Sequence, residues 1–286
     1  MNNPTIRLNK FLAERLGVSR READDLISSG RIFVDGQPAI LGARIDKTNK
    51  VCYNKKTIPF ATDYLYLAFH KPIGYVCSRK AQGSTPTLYQ LLPTKYQKLK
   101  TVGRLDKDSS GLILLTNDGD FAYRMTHPKF RKAKVYEIEL DKPLEPLHQQ
   151  MISEYGVVLD DGPSKFKVLK SANINFANSN LKSKDRINTD PVDHSTNLDS
   201  MGSVLSSGSA NSESRSVGSD SMNSASSSDT ANLPSSYTVI LTEGRNRQIR
   251  RTFAALGYTV TKLHRTQFGP YSLGDLRPGT YQNFNI

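Results

Sequence analysis

The chain has 286 residues, of which 37% are hydrophobic and 23% are charged, and this suffices for one sizeable core and a small second module. No apolar run reaches about 18 residues, and the first ten residues lack the apolar stretch of a secretory signal, so neither a membrane span nor export is expected. The formal net charge of +12 indicates a nucleic acid or another anionic partner.

The first 36 residues predict two helices followed by a hairpin. The first helix carries apolar residues at helical spacing, namely Leu8, Phe11, Leu12 and Leu16. Ser19 and Glu22 form a capping box that starts the second helix, and Gly30 ends it. Ile32–Val34 then predicts a strand that enters a tight Asp-Gly turn at residues 35–36.

Basic residues are spread along this helix-helix-hairpin module. They are Arg7, Lys10, Arg15, Arg20, Arg21 and Arg31. Such a set would hold a phosphate backbone by charge alone, without reading its sequence. The alternative is an ordinary solvated helix face, because charged residues normally cover the outside of a surface helix.

An alternating apolar pattern follows the module. Leu65, Leu67 and Phe69 predict a half-buried strand. The strand runs into residues 70–75, where a proline and a glycine two residues apart predict a turn.

Charged residues stand directly against a short apolar run within residues 101–120. Residues 112–115 are four aliphatic residues in a row, which predicts a fully buried strand bounded by a glycine and by an Asn-Asp-Gly turn. The charged residues that this strand places at its mouth are Arg104, Asp106, Lys107 and Asp108. The guanidinium of Arg104 would favour the ionised form of Asp106, as a nucleophile or an electrostatic stabiliser requires.

Two other interpretations fit the same stretch. The residues at positions 106, 108, 110 and 111 match the first half of a calcium-binding loop, but the twelfth position, which should supply a bidentate Glu, is Asn117. A solvated Asp-rich turn before a strand is the commoner arrangement.

Helical and alternating patterns continue after the central strand. Residues 121–126 predict a short helix, and Lys134–Leu140 predicts a strand. A further helix is predicted near residues 147–152 and a further strand over residues 166–169. Tyr136 lies in the first of these strands, where the usual fate of a tyrosine is a place in the core.

The composition changes at residue 171. Residues 171–236 are dominated by Ser, Asn and Asp, hold one aromatic residue and show no sustained periodicity. They carry four Lys or Arg against seven Asp or Glu, so the rest of the chain carries 35 against 20. Because such a segment buries too little apolar area to offset its ordering entropy, we predict a disordered insertion. Residues 237–241 resume as the strand expected to pair with residues 166–169.

A basic segment begins the last predicted helix. Its arginines are Arg245, Arg247, Arg250 and Arg251. Ile249, Phe253 and Leu256 form an apolar stripe along the helix, and Gly257 ends it. A basic helix start beside a glycine suits a phosphate group, and a solvated basic face is the alternative.

Cysteine and histidine give no sign of metal chemistry. Cys52 and Cys77 are the only cysteines, too few for a disulfide framework and without the spacing of metal ligands, which fits a reducing cytosol. The five histidines are scattered. We therefore expect neither a metal nor a disulfide.

Several of these stretches resemble the RsuA/RluB-type ribosomal RNA pseudouridine synthases. The matching motifs occur in the order of that family: Lys71-Pro72-x-Gly74, residues 103–106, 110–112 and 116–119, Lys134-x-Tyr136, residues 243–251, residues 263–265, and Gly269-Pro270. The first fifty residues resemble the small RNA-binding domain named after ribosomal protein S four, which this family commonly carries at the same end.

The resemblance implies a role for individual residues. Asp106 would be the catalytic residue, Tyr136 would pack on the substrate base and accept a proton, and Arg250 would pair with Asp106. Ile249 would pack in the pocket. Asp106 would act at the ribose, either by attacking the anomeric carbon or by removing the 2′ proton. The residues implied to bind the RNA substrate are Arg104, Lys71, Arg245, Arg247, Arg251 and Arg265, joined by Arg7, Lys10, Arg20, Arg21 and Arg31 of the N-terminal domain.

The fold that the resemblance implies is α+β. A small helix-helix-hairpin RNA-binding domain is expected over residues 1–55. A catalytic domain with a bent, mostly antiparallel sheet is expected over residues 60–170 and 237–286, interrupted by the insertion at residues 171–236.

The implied function is the isomerisation of one uridine in ribosomal RNA to pseudouridine, by a cytoplasmic monomer that needs no cofactor and no metal. Residues 107–110 and 126–128 resemble the large-subunit enzymes more than the small-subunit ones. The alternative is a catalytically silent RNA-binding or ribosome-assembly factor that uses the same basic surfaces. The presence of Asp106, Tyr136 and Arg250 together argues against it.

Overall fold

The structure is a computed structural model that describes residues 5–61, 63–79, 82–170 and 235–286. The described residues all belong to one compact unit. They contain both helices and strands, so the expected α+β class is confirmed. None of the helices in these ranges is long and apolar enough to cross a membrane.

The N-terminal domain packs two helices on short strands. The helices are α1 (Leu8–Arg15) and α2 (Arg20–Ser28). The strands are β1 (Ile6–Arg7), β2 (Ile32–Val34), β3 (Gln37–Pro38), β4 (Arg44–Ile45), β5 (Val51–Tyr53) and β6 (Lys56–Thr57). The predicted capping box is confirmed, since the backbone N–H of Ser19 donates to Glu22 at 2.7 Å and that of Glu22 donates to the Ser19 hydroxyl at 3.1 Å. The predicted hairpin turn between β2 and β3 is confirmed as well.

The described chain from residue 66 onward is built on one large sheet. Its strands and those of a small separate hairpin are β7 (Tyr66–Lys71), β8 (Lys100–Val102), β9 (Ser110–Thr116), β10 (Lys134–Leu140), β11 (Val157–Leu159), β12 (Gly162–Ser164), β13 (Lys167–Lys170), β14 (Ser235–Leu241), β15 (Val260–Phe268), β16 (Tyr271–Ser272) and β17 (Tyr281–Asn283). The order in the large sheet is β13-β14-β10-β15-β9-β7-β17, with β8 paired to β9 and β16 to β15, while β11 and β12 pair only with each other.

The large sheet is mostly antiparallel, as predicted, and its one parallel pair among the described strands joins β9 to β15. Gly111 lies opposite Arg265 in that pair. The φ angle of Gly111 is +107°, and a Cβ atom there would lie 2.2 Å from the carbonyl oxygen of Arg265. Only glycine allows this close approach of the two backbones.

Three α-helices in the described ranges accompany the sheet. They are α3 (Gly119–Thr126), α4 (Pro146–Gln150) and α5 (Gln248–Ala254). A π-helix (Met151–Tyr155) continues α4, and short 3-10 helices cover Leu88–Leu91, Thr94–Tyr96 and Pro128–Phe130. The predicted helix at residues 121–126 is confirmed and begins two residues earlier, because the carboxylate of Asp118 caps the backbone N–H groups of Asp120 and Phe121.

Apolar side chains cover both faces of the sheet. Leu67, Phe69 and Ile113 belong to the larger cluster on one face, and Tyr66 and Leu112 belong to the cluster on the other. The prediction of a half-buried strand at residues 65–69 is therefore wrong, because every residue of β7 is buried. The second cluster contains side chains of α3 and of the C-terminal segment, which cover the face that was expected to meet water.

The predicted pairing across the insertion is confirmed. β13 and β14 are antiparallel neighbours, with Val168 opposite Val239. β14 begins at Ser235, two residues earlier than the predicted strand. Disorder was predicted for residues 171–236; residues 171–234 lie outside the described residues, and for residues 235–236 the prediction is wrong, because they belong to β14.

Candidate active site

A cavity of about 240 Å³ lies where β10, β14 and β15 meet the loop before β9 and the start of α5. Its walls come from the loop at residues 103–106, from Tyr136 on β10, from residues 244–249 and from Arg265 on β15. The cavity thus brings together residues that are more than a hundred positions apart in the chain.

Hydrogen bonds to its backbone hold the loop that carries Asp106. Ser109 donates a backbone hydrogen bond to the carbonyl of Asp106 at 3.1 Å, and Gly74 donates one to Lys107 at 2.8 Å. The buried ammonium of Lys71 donates to the carbonyl of Ser109 at 2.7 Å. These bonds fix the loop and leave the Asp106 carboxylate about one-third exposed at the cavity wall.

Arg247 is the cation beside Asp106. One of its guanidinium nitrogens lies 3.7 Å from a carboxylate oxygen of Asp106. Both terminal nitrogens also donate to the two oxygens of Asp108, each at 3.1 Å. Arg104, which the sequence assigned to this task, is exposed at the cavity rim and pairs with no carboxylate in the described part of the chain.

Arg250 contacts Asp108, and the expected pair between Arg250 and Asp106 is wrong. Its Nε lies 3.2 Å from a carboxylate oxygen of Asp108, and one Nη donates to the backbone carbonyl of Asp108 at 2.9 Å. The other Nη donates to the carbonyl of Val260 at 2.5 Å. Arg247 directly precedes α5 and lines the cavity, whereas Arg250 lies within the helix and does not line it.

Asp108 is the anchor for both arginines. Burial raises the pKa of its carboxyl, but the hydrogen bonds from Arg247 and the charges of Arg250 and Arg247 outweigh this, so the pKa lies below its ordinary value. The same contacts argue against a calcium site, because a metal cation would have to displace two guanidinium groups.

Tyr136 and Arg265 form the apolar and cationic wall opposite the loop. Tyr136 is buried, and the Arg265 guanidinium lies 6.0 Å from the centre of its ring and 4.9 Å from that of Phe268. Arg265 is only 2% exposed and donates from Nε to the carbonyl of Leu112 at 2.7 Å. One of its terminal nitrogens has no protein partner in the described ranges. Arg265 therefore contributes to the cavity wall, and it is too deeply buried to hold an exposed RNA backbone.

Lys134 is a cavity residue that the sequence did not assign to the site. It lines the cavity two positions before Tyr136, and its ammonium donates to the carbonyl of Glu243 at 3.2 Å. Burial and the nearby charge of Arg265 lower its pKa to about 8. The Lys-x-Tyr motif contained the signal, because residues two apart on a strand share one face.

Arg245 lines the cavity and Arg251 lies on α5, but both are already paired with carboxylates. Arg245 donates to the carboxylate of Asp161 at 2.8 Å and to the carbonyl of Gly162 at 3.0 Å. Arg251 contacts the carboxylates of Asp160 at 2.5 Å and Asp161 at 2.6 Å. Both arginines thus tie α5 to the β11–β12 hairpin, and each would have to exchange a carboxylate for a phosphate to bind RNA.

Lys71 does not face the cavity. Its side chain is fully buried, and its ammonium donates to the carbonyls of Ser109 and Pro72. Burial lowers its pKa to about 8, although the carboxylates of Asp106 and Asp108 act in the opposite direction. The expectation that Lys71 binds substrate is therefore replaced by a supporting position behind the loop.

The remaining predicted residues divide into pocket and surface positions. Ile249 is buried and lines the cavity, as expected. Four predicted RNA-binding residues of the N-terminal domain are exposed, namely Arg7, Arg20, Arg21 and Arg31. Lys10 differs from them, because its ammonium is half-buried and pairs with Asp120 of α3 at 2.5 Å.

Two regions of the sequence match known protein families. Residues 6–47 match the S4 domain. Residues 65–255 match the family described as RNA pseudouridylate synthase. The second match contains the loop of Asp106, the strand of Tyr136 and the start of α5.

Relatives and a solved structure match nearly the whole chain. It is 30% identical to the ribosomal small subunit pseudouridine synthase A of Pasteurella multocida, over 98% of this chain and 96% of the relative. It is 28% identical to the ribosomal large subunit pseudouridine synthase B of Pseudomonas aeruginosa, over 98% of this chain and 59% of that longer relative. A crystal structure of a pseudouridylate synthase shares the fold, with a TM-score of 0.56 and 24% identity over 98% of this chain and 96% of the other.

Proposed function

Since the chain belongs to the RNA pseudouridylate synthase family, we propose that it isomerises a uridine of ribosomal RNA to pseudouridine. The names of the relatives support ribosomal RNA as the substrate, and the match to the S4 domain supports an RNA-binding role for residues 1–55. The catalytic domain then comprises residues 60–170 and 237–286.

The observation that carries the proposal is the position of Asp106. Its carboxylate lines a cavity whose walls include the apolar side chains of Leu105, Tyr136 and Ile249. A uridine must leave its base stack to bring its ribose to such a carboxylate, at a cost of a few kcal/mol. The exposed third of Asp106 is the part that a bound nucleotide would meet.

Asp106 acts at the ribose, either on the anomeric carbon or on the 2′ proton. The bond between the anomeric carbon and N1 of uracil breaks, the base turns, and a bond to C5 forms. The proton that leaves C5 is balanced by one gained at N1, so the reaction needs no oxidant and no other reactant. Tyr136 accepts the C5 proton, and its buried ring supports the base while it turns.

Arg247 and Arg250 keep Asp106 in place. Arg247 lies 3.7 Å from Asp106, and both arginines bind the neighbouring Asp108, so the loop and α5 form one rigid wall. Arg250 is then a positioning residue that acts through Asp108. With RNA bound, the apolar side chains of Leu105, Tyr136 and Ile249 keep water from the reacting atoms, where it would otherwise hydrolyse the detached ribose.

The exposed arginines of the N-terminal domain bind the RNA backbone around the target. Arg7, Arg20, Arg21 and Arg31 supply the charge for this contact. Large-subunit RNA is our first candidate, because residues 107–110 and 126–128 resemble the large-subunit enzymes. We place the reaction in the cytoplasm, which suits the free thiols of Cys52 and Cys77, and we propose that the protein works as a monomer.

Pseudouridine mapping of ribosomal RNA tests the proposal. RNA from cells with and without the gene is treated with carbodiimide and read by reverse transcription. We expect one stop to be lost without the gene, to return with the wild-type gene and to stay absent with Asp106→Asn, while purified Asp106→Asn binds the RNA as the wild type does. The position of the stop identifies the subunit, and an unchanged map would refute the proposal.

A further inference from the structure

Three aromatic rings pack together on the protein surface at the end of α3. Tyr123 and Phe130 are 44% and 37% exposed. The ring of His127 lies 4.7 Å from that of Tyr123 and 6.4 Å from that of Phe130, measured between ring centres. We call these three residues the aromatic surface. Rings left in water are informative, because their burial would be favourable.

Positive charge surrounds the aromatic surface. The cations are Lys129, Arg124 and Arg131, all of them exposed. The Lys129 ammonium lies 5.2 Å from the ring centre of Tyr123 and 4.8 Å from that of Phe130. In the ranges that the structure describes, none of the three cations pairs with a carboxylate, and residues 121–136 contain no Asp or Glu. Unlike Arg245 and Arg251, these cations are free to bind an anionic partner.

The aromatic surface lies next to the cavity. Thr126 lines the cavity and follows Tyr123 by three residues on α3, which is about 4.5 Å along a helix axis. Gly103 lies beside Thr126 in the same wall and begins the loop of Asp106. A nucleotide that adjoins a base held in the cavity is therefore within reach of Tyr123.

We propose that the aromatic surface binds a base adjacent to the target uridine by stacking, while the three cations hold the adjoining phosphates. This inference rests on the proposed function and extends it to the substrate, which must be unpaired on that side of the target. Sites for single-stranded nucleic acid combine exposed rings with a basic track in this way. A base that loses a stacking partner when the uridine leaves the stack regains one on Tyr123, and Lys129 moves from the rings to a phosphate.

Photochemical crosslinking locates the base directly. The full-length protein is irradiated with RNA hairpins that hold one loop uridine, with 5-iodouridine placed on either side of it, and the crosslinked peptide is identified by mass spectrometry. We expect the crosslink at Tyr123 or Phe130. Crosslinks elsewhere, or none, would overturn the proposal. The readout needs no turnover, so RNA that crosslinks at Tyr123 but stays unmodified would count against the proposed function and not against base stacking on the aromatic surface.

Matched variants test the same contact in kinetics. Tyr123→Leu keeps apolar contact with the neighbouring rings and removes the stacking face, so we expect KM for the RNA to rise roughly 5-fold to 100-fold with kcat little changed. Tyr123→Phe should behave as the wild type, and so should Tyr155→Leu, which alters a tyrosine that is 74% exposed and lies outside the aromatic surface. Thermal denaturation confirms that each variant is folded.

Two kinetic results would contradict the proposal. One is an unchanged KM in Tyr123→Leu. The other is a defect that appears only on an assembling ribosomal particle and not on naked RNA, because a protein partner would then occupy the aromatic surface.

Discussion

Arg250 holds Asp108 at two points, through Nε to the carboxylate at 3.2 Å and through a terminal nitrogen to the backbone carbonyl at 2.9 Å. The contact with the carboxylate alone would fix only the rotamer of the Asp108 side chain. The contact with the carbonyl also fixes the position of the Asp108 backbone. Since Asp108 follows Asp106 by two residues, the path of the loop depends on α5. This relationship predicts that Asp108 matters to the reaction without touching the substrate.

Asp108→Asn should lower kcat by roughly tenfold to a hundredfold, because small displacements of a reacting group cost about that much. The substitution keeps the size of the side chain and removes the charge that holds Arg247 and Arg250. We expect KM to change little, since Asp108 is not part of the RNA surface. Single-turnover rates on a ribosomal RNA fragment measure the effect, and a variant as fast as the wild type would show that the loop keeps its shape unaided.

Gly111→Ala should destabilise the fold by roughly 3 kcal/mol or more, because the new Cβ would strike the backbone of Arg265 and the positive φ is strained for alanine. Gly274→Ala is the matched control. Its φ is +54° and no atom lies within 4 Å of the added Cβ, so only the strain of about 1 kcal/mol should appear. Urea denaturation compares the two, and equal losses would mean that β9 and β15 separate easily.

Lys71 should give the stability of the protein a distinct pH dependence. Burial lowers its pKa from 10.5 to about 8, so between these values the unfolded chain holds a proton that the folded chain has released. The free energy of unfolding should therefore rise with pH across this window. In Lys71→Met the rise should shrink, with the part due to Lys134 remaining. Lys56→Met, which alters an exposed lysine, should leave the rise unchanged. Equal slopes in wild type and Lys71→Met would contradict the prediction.

Asp161→Asn should strengthen RNA binding by about threefold to tenfold at low salt and steepen its salt dependence, because it removes the one carboxylate that both Arg245 and Arg251 contact and so weakens their competition with phosphates. Asp275→Asn makes the same change of charge at an exposed position away from the hairpin and serves as control. Filter binding at several salt concentrations measures both. If the two variants bound equally, the effect would come from net charge alone.

Local patterns predicted most elements of the fold. The capping box of Ser19 and Glu22, the buried strand at residues 112–115 and the pairing of the strands on either side of the insertion all depend on neighbours in sequence or on one face of a strand. Local patterns could not predict that both faces of β7 are buried. This burial is set by side chains of α3 and the C-terminal segment, which lie far away in the chain.

The candidate site was predicted as a set of residues but not as a set of contacts. Asp106, Tyr136 and Ile249 line one cavity, as the motifs indicated. Which arginine contacts which carboxylate depends on the position of α5 relative to the Asp106 loop to within a few ångströms. The motif therefore could not distinguish Arg247 from Arg250. Sequence spacing also does not predict how deeply a side chain is buried, and Lys71 and Arg265 are buried where contacts with RNA were expected.

The junction at Ser235 lies at the end of β14 remote from the cavity, which the same strand reaches at Leu241. Six residues of extended strand separate the two ends, about 20 Å at 3.3 Å per residue. Chain length can therefore vary between β13 and β14 without altering the distance from Asp106 to Tyr136. At this edge of the sheet a segment can therefore be gained, lost or replaced during evolution without a change in the catalytic geometry.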